Sequence, residues 1–484
     1  MKIEKIEVFV IGPEDIHYTW SEDIPEIYQT NTIIKIHTDT DIVGEAAVWN
    51  ATYFDYDKYT AESLKHILPI LIGKNPLDRD SILYDIRPRV FPQPPGAQAV
   101  IDNALWDIFG KHSKLPIYKL LGGRREKIKS YASTVMYETV DEYLKVIDEM
   151  KSQGFTAVKF HTWCVPSKDL ELAKEARKAF PKMNFMLDAE NNYDFENSLH
   201  TAKELQKLDF TWFEAPLPDY DFAGYKKLVN NTGIKIIPSG NWVVDLQRFS
   251  EAINDNVWSA ARTDMAMIGG ITNCKKAMDI SSISGMDCEI MSWGYTLVSV
   301  ANLHVMLASD NCTFYEQPLP YKMFEFGMKD VLRTSKDGYM HAPTKPGLGM
   351  EIDWKKMKEK SVSRSKFNNM VRKCLGINKV YNYYGMVEQT GSIFLECEHG
   401  YYHSSIFSDI IIRNKDLEIE KLNKPGLIQV MSLLPVSYPG HNLLTEDIGT
   451  LHGVDDCKCG RKGKYFSVLG RVEGTEMRGC SDVY

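Results

Sequence analysis

The sequence predicts an α/β protein built on a (β/α)8-type barrel, followed by a small α/β or mainly β appendage. Eight short apolar runs each end on a polar or functional-looking residue, and these ends recur every 23 to 29 residues along the chain. Between the runs lie stretches such as VDEYLKVIDEMKSQG and SLHTAKELQKL, whose apolar positions recur at three and four residues and which stop near glycine or a short polar turn. Strand then helix, repeated eight times at that length, is the pattern of a closed parallel barrel; the units of a doubly wound open sheet seldom repeat so evenly. After WKKMKEKSVSRSKFNN the period stops, and short strands with glycine-rich turns follow.

In order, IKSYAS ends on Ser133, FTAVKF carries Lys159, NFMLD ends on Asp188, FTWFE on Glu214 and IKIIPSGN on Asn241. SAARTD then ends on Asp264, DCEIM on Met291 and CTFYE on Glu316. Strand C-termini converge on one mouth of such a barrel, so Asp188, Glu214 and Asn241, on three consecutive strands, are expected to point into one site. An ionised carboxylate at the end of an apolar run such as DFTWFEAPLP is costly to bury unless it is paired or binds a metal. The three oxygens suit a hard divalent cation that leaves room for water and substrate. The plainer alternative is that each residue caps the helix after its strand, which Asp and Asn often do; three in consecutive frames favour the metal.

Composition narrows the partners. The net charge of −8 over 484 residues gives no basic face for nucleic acid or an anionic membrane, which leaves small molecules or proteins. No apolar run approaches the ~20 residues needed to span a bilayer, and MKIEKIEVFV reads as an amphipathic strand rather than a secretory signal, so a cytoplasmic location is expected. The nine cysteines are odd in number and scattered, as suits reduced thiols.

Residues 1 to about 358 resemble the mandelate racemase and muconate lactonizing enzyme branch of the enolase superfamily. AVIDNALWDIFGKHSKLPIYKLLGG (99–123) is similar to the helix and turn joining that family's capping domain to its barrel, MLDAEN and WFEAPLP to its metal strands, and MIGGIT (267–272) to its sixth-strand turn. PTKPGLGMEID (343–353) resembles the segment that returns to the capping domain. The resemblance implies an N-terminal α+β capping domain over residues 1–125 and a barrel over 126–358 that assembles as a homo-oligomer. It also implies a Mg2+-dependent enzyme that removes the proton α to the carboxylate of a small substrate. Asp188 and Glu214 then occupy the first two ligand positions, and Asn241 stands where most members have Glu, with one negative charge fewer.

The family's usual Lys-x-Lys is Lys159-Phe160-His161 here, and either Lys159 or His161 is a candidate base. His161 alternatively only hydrogen-bonds the substrate. Asp264 matches the aspartate that orients a strand-seven histidine in the racemase branch, but that histidine's position is Met291, and a thioether cannot relay a proton. His304 reads as a packed helical histidine. One base suits β-elimination of water from a hydroxy acid or acid sugar better than racemisation, which commonly needs a group on each face. Glu316 supports the substrate carboxylate or ion-pairs to close the barrel. His17, Tyr18 and Trp20, in a loop that selects substrate in the family, and Trp293 are candidate substrate-binding residues. A racemase, epimerase or cycloisomerase, and a barrel scaffold without turnover, are the competing readings.

Beyond a linker at 359–378, residues 379–484 resemble the C-terminal part of the acyl-protein synthetases of luciferase operons, relatives of adenylate-forming ligases. The resemblance rests on YYGMVEQTG, LLTEDIGTLHG and CGRKGKYFSVLGRVEGTEMRGCSD. It implies nucleotide-site positions at Glu388, Asp447 and Arg471 and an acyl-carrying thiol at Cys480. No Ser/Thr/Gly-rich phosphate loop precedes them, so a remnant that packs or docks a protein partner is expected rather than an independent catalyst. Cys457-x-Cys459, with Cys397 and Cys480, offers thiolates for zinc, although the paired CxxC spacing is lacking.

Overall fold

Strand periodicity decides what lines the barrel. Because side chains alternate across a strand, residues two apart point the same way, and Tyr131, Ala157, Met186, Trp212, Ala260 and Phe314 form one buried apolar layer with Ile237. Two residues further along their strands stand Ser133, Lys159, Asp188, Glu214, Arg262 and Glu316, all buried. An apolar floor therefore lies beneath a polar layer at the C-terminal strand ends. In the computed structural model, residues 1–12, 17–18, 27–28, 31–49, 58–91, 93–359, 369, 371–373, 375–385, 392–435 and 441–472 are described.

The barrel strands are Lys127–Ser133, Ala157–His161, Asn184–Asp188, Trp212–Glu214, Lys235–Ile237, Ala261–Thr263, Cys288–Ile290 and Phe314–Pro318. The first five pair in parallel and in order, and Phe314–Pro318 pairs in parallel with Lys127–Ser133, while Ala261–Thr263 and Cys288–Ile290 form their own parallel pair. Hydrogen bonds that involve serines bridge the two seams. Ser259 N–H donates to Ile236 O at 3.0 Å on one side, and Ser292 Oγ donates to Glu316 O at 2.8 Å on the other.

Four of the intervening helices start on a side-chain cap. Thr139 Oγ1 accepts the Glu142 N–H at the start of Val140–Ser152, whose Tyr143, Ile147 and Met150 form the buried stripe. Asp194, Asp221 and Asp245 cap Phe195–Lys207, Phe222–Asn231 and Leu246–Asn254 in the same way. Capping is thus done by residues past the strand ends, which leaves Asp188 and Glu214 for other partners.

The N-terminal part is an antiparallel sheet, Ile3–Ile11, Asn31–Thr38 and Val43–Val48, packed on the helix Pro95–Ser113. That helix fastens the sheet to the barrel. Asp102 accepts the N–H and hydroxyl of Thr272 at 2.8 and 2.7 Å, and Asn103 Oδ1 accepts the Ile271 N–H at 3.0 Å. Asp107 accepts the N–H groups of Glu45 and Leu348 at 2.9 and 2.8 Å. Gly110 meets Gly347 so closely that a Cβ there would lie 2.5 Å from the Gly347 Cα. AVIDNALWDIFG, MIGGIT and PGLGMEID are therefore parts of one joint.

The chain divides into two compact units, Met1–Lys358 and Glu359–Tyr484. The second contains a seven-stranded antiparallel sheet, in the order Tyr383–Gly385, Ile393–Glu396, Tyr402–His403, Lys464–Arg471, Asn442–Val454, Pro425–Ser432, Ser408–Arg413. Its core is small, consisting of Phe394, Tyr402, Ile410, Ile412, Ile428, Val430 and Phe466. Among the described residues no helix is long and apolar enough to cross a membrane.

Candidate active site

Lys159 Nζ lies at the centre of the polar layer, 2.9 Å from Asp188 Oδ2, 2.8 Å from Glu214 Oε1 and 3.0 Å from Glu316 Oε1. Arg262 extends the network with Nε 2.9 Å from Glu214 Oε1 and Nη2 3.0 Å from Glu316 Oε2. The Trp212 indole donates to Glu214 Oε2 at 3.1 Å, and the Ser292 N–H donates to Glu316 Oε2 at 3.2 Å. Removing either cation would leave buried carboxylates unpaired, which is why the five charges occur together. Burial alone would drive the proton off Lys159, but Glu214, Glu316 and Asp188 hold its pKa well above the ordinary lysine value.

His161 stands beside this network. Its Nδ1 faces the Thr134 carbonyl, an acceptor only, so Nδ1 carries the proton. Nε2 is 3.3 Å from Asp188 Oδ2 and 3.1 Å from Glu190 Oε1. Burial and Lys159 oppose its charge, yet the hydrogen bonds to the two carboxylates push its pKa up to about 9. Trp293 packs edge-on against the imidazole with ring centroids 5.3 Å apart, so a side chain from the turn after the seventh strand covers His161.

The turns above the strands are held in uncommon backbone conformations. Glu190, Asn191 and Ala215 have φ of 49°, 63° and 45°, in the left-handed region that non-glycine residues seldom occupy. The Ala189 N–H donates to Glu214 O at 3.0 Å, and the Asn191 N–H to Ala215 O at 2.8 Å. Backbone outliers of this kind gather at functional sites. Asn241 lies beyond the end of Lys235–Ile237, on a turn organised by Asp219, which accepts from Ser239 N, Ser239 Oγ and Gly240 N at 2.8, 2.7 and 3.1 Å. Asn241 Oδ1 is buried and has no hydrogen-bond partner among the described residues. Two buried carboxylates and one unpartnered amide oxygen form a donor set that fits a hard divalent cation.

The structure thus brings Lys159, His161, Asp188, Glu214, Glu316 and Trp293 together, with Asn241 on the neighbouring turn. It gives Asp264 a different set of partners. Asp264 Oδ1 accepts the Ala266 and Met267 N–H groups, the latter at 3.0 Å, and Oδ2 accepts from Asn302 at 3.0 Å, so both oxygens hold the sixth-strand turn. His304 is packed in its helix, accepting the Tyr118 N–H at Nδ1 and meeting Leu348 O at Nε2, both at 3.1 Å. In the second unit Asp447 and Arg471 face each other across neighbouring strands, and Tyr384 Oη donates to Asp447 Oδ2 at 2.6 Å. The side chains of His17 and Tyr18, with Trp20, Glu388 and Cys480, lie outside the described residues.

Sequence reasoning missed Arg262 and Glu190. Arg262 carried a signal, two residues past Ala260 in the same inward frame, whereas Glu190 lies past the end of its strand, where alternation no longer applies.

The description "Mandelate racemase / muconate lactonizing enzyme, N-terminal domain" matches residues 26–122, and "Enolase C-terminal domain-like" matches residues 142–356. "Acyl-protein synthetase, LuxE" matches residues 328–484. Among solved structures, a mandelate racemase/muconate lactonizing enzyme-type protein from Pseudovibrio sp. is 40% identical, with a TM-score of 0.73 over 75% of this chain and 98% of its own. D-glucarate dehydratase from Agrobacterium tumefaciens, complexed with magnesium, is 26% identical, with a TM-score of 0.64 over 74% and 98% of the two chains. The N-succinyl-L-Arg/Lys racemase of Bacillus cereus is 25% identical over 77% of this chain and 100% of its own length. The relatives thus span dehydratases and racemases of small carboxylic acids. The chain belongs to the enolase superfamily, in its mandelate racemase and muconate lactonizing enzyme branch, and carries a C-terminal match to the acyl-protein synthetases.

Proposed function

We propose that the barrel abstracts the proton α to a carboxylate in a Mg2+-dependent reaction and dehydrates a hydroxy acid, with an acid sugar as the substrate class. Asp188, Glu214 and Asn241 hold the metal. When bound, Mg2+ supplies positive charge for the substrate carboxylate as negative charge builds there. Lys159 Nζ and His161 Nε2 share the Asp188 Oδ2 edge and form the face that takes the α-proton, the base acting in its neutral form; a cation held by Asp188 and Glu214 would favour that form by offsetting the carboxylate charge that otherwise keeps both groups protonated. The β-hydroxyl leaves as water after accepting a proton from the same face, and the resulting enol tautomerises to a 2-keto-3-deoxy acid. Glu316, fixed by Arg262 and Ser292, orients Lys159 Nζ. Trp293 shields His161 from water.

The observation that carries this reading is the one-sidedness of the site. Both candidate bases lie on one face. Among the described residues the strand-seven end offers Met291, Asp264 is committed to its turn, and His304 is committed to backbone partners. A two-base racemisation lacks its second group there, whereas elimination needs only one face. The test is to incubate the full chain with Mg2+ and a panel of acid sugars and assay 2-keto-3-deoxy acids. Formation from at least one sugar, lost on chelation, is expected; an epimer as sole product would assign the barrel to isomerisation.

A further inference from the structure

The second unit holds a cluster that neither the barrel chemistry nor the acyl-protein synthetase resemblance uses. Cys397, His403, Cys457 and Cys459 place three sulfurs and one imidazole nitrogen within 4.8 Å of one another. Cys397 Sγ and Cys457 Sγ are 4.0 Å apart, and Cys459 Sγ is 3.3 Å from His403 Nε2. We propose that these four side chains form a closed, tetrahedral structural zinc site.

Local structure explains how distant residues reach one point. Cys397 opens a tight turn in which its N–H donates to Tyr401 O at 2.8 Å and the Gly400 N–H returns to Cys397 O at 2.9 Å. Cys457 opens a second turn, closed by the Gly460 N–H on Cys457 O at 3.0 Å, with Gly460 at φ +82°. The pairing of Tyr402 with Phe466 and of His403 with Tyr465 sets the two turns side by side. Each turn contributes two ligands, Cys397 with His403 and Cys457 with Cys459.

The spacing and chemistry favour zinc over the other uses of thiols. Zn–S bonds of about 2.3 Å in a tetrahedron put the sulfurs roughly 3.8 Å apart, close to the observed 4.0 Å. A disulfide needs about 2.05 Å, and all of these cysteines are free. A reactive thiol needs access, but Cys397 and Cys457 are buried. His403 is buried, its Nδ1 has no hydrogen-bond partner among the described residues, and Nε2 meets a sulfur. Among the described residues the ring's hydrogen-bond partner is a cysteine sulfur, met at Nε2, the atom through which His403 would ligate the metal. Four protein ligands leave no open position, so the site is structural and not hydrolytic. A small apolar core such as this unit's is the setting in which a metal staple contributes to folding. The sequence pointed to the three thiols but placed Cys480 as the fourth ligand; His403 takes that place, brought in by strand pairing that spacing alone does not reveal.

The full chain, purified under reducing conditions from zinc-supplemented cells, should contain one equivalent of zinc by mass spectrometry of the metal. Replacement with Co2+ should give the thiolate-to-cobalt charge-transfer absorption and the intense ligand-field bands of a tetrahedral site. Cys457→Ser with Cys459→Ser should abolish the charge-transfer band, and Asp188→Asn, in the barrel, should leave it intact. The wild-type spectrum decides the question even where the double variant misfolds. Absence of a sulfur-to-cobalt band in the wild-type chain, or recovery of Cys397 and Cys457 as a disulfide after anaerobic purification, would overturn the proposal.

Discussion

Asn241 is the residue at which this barrel departs most from the carboxylate-rich pattern, and its buried, unpartnered Oδ1 gives that departure a consequence. If Asp188 and Glu214 supply the charge and Asn241 a neutral oxygen, Asp188→Ala or Glu214→Ala should weaken Mg2+ binding by more than ~100-fold in calorimetry, since outer-shell changes alone cost 10–100-fold. Asn241→Glu should preserve or tighten it. Unaltered binding in both alanine variants would contradict the assignment. His304 yields a pH prediction of another kind. Neutral, it accepts from Tyr118 N–H and donates to Leu348 O, so protonating Nδ1 would set two donors against each other. Burial holds its pKa down at about 4, from 6.5. The unfolded chain therefore takes the proton first as pH falls, and stability present above pH 6.5 is lost progressively down to about pH 4, by about 3 kcal/mol. Buried Asp102 and Asp264, pushed up to about 6, act in the opposite direction, so the informative quantity is a difference. His304→Gln, whose amide can make both hydrogen bonds, should have a flatter stability–pH curve than the wild type in that window. Parallel curves would refute the account.

At the scale of elements, the barrel was legible because every apolar run except DCEIM carried a polar residue at or beside its end, and the frames repeated. What was not legible followed from the same geometry read too coarsely. Arg262 sits inside a strand, flanked by Ala261 and Thr263, and looked like part of an apolar run until its inward frame was known. Glu190 lies in a left-handed turn that sequence does not announce. His403 reaches the cysteines only through the pairing of Tyr402–His403 with Lys464–Arg471. The joint between the helix Pro95–Ser113 and the 343–353 segment is legible in its glycines once the close approach is seen. At Gly110 a methyl group would meet the Gly347 backbone at 2.5 and 2.7 Å, where neither chain can yield independently. Gly110→Ala should therefore destabilise the first unit by about 1–3 kcal/mol, the usual cost of overpacking, despite alanine's better helix propensity. An unchanged or raised midpoint in denaturant would show that the contact is looser than described.

For the whole molecule, the sheet, helix and barrel of Met1–Lys358 converge on one arrangement: an apolar floor, a layer of paired charges above it and a cation-suited edge at Asp188, Glu214 and Asn241. In the proposed reaction this layer removes the proton α to a carboxylate from one face. Incubating the full chain with Mg2+ and a panel of acid sugars in D2O, and following the α-proton by NMR, tests it most directly. At least one substrate should lose its α-proton signal, and the loss should require Mg2+, vanish in the Lys159→Ala, His161→Ala double variant and persist in Met291→Ala. Exchange that survives the double variant, or that proceeds unchanged after chelation, would contradict the one-face, metal-dependent reaction.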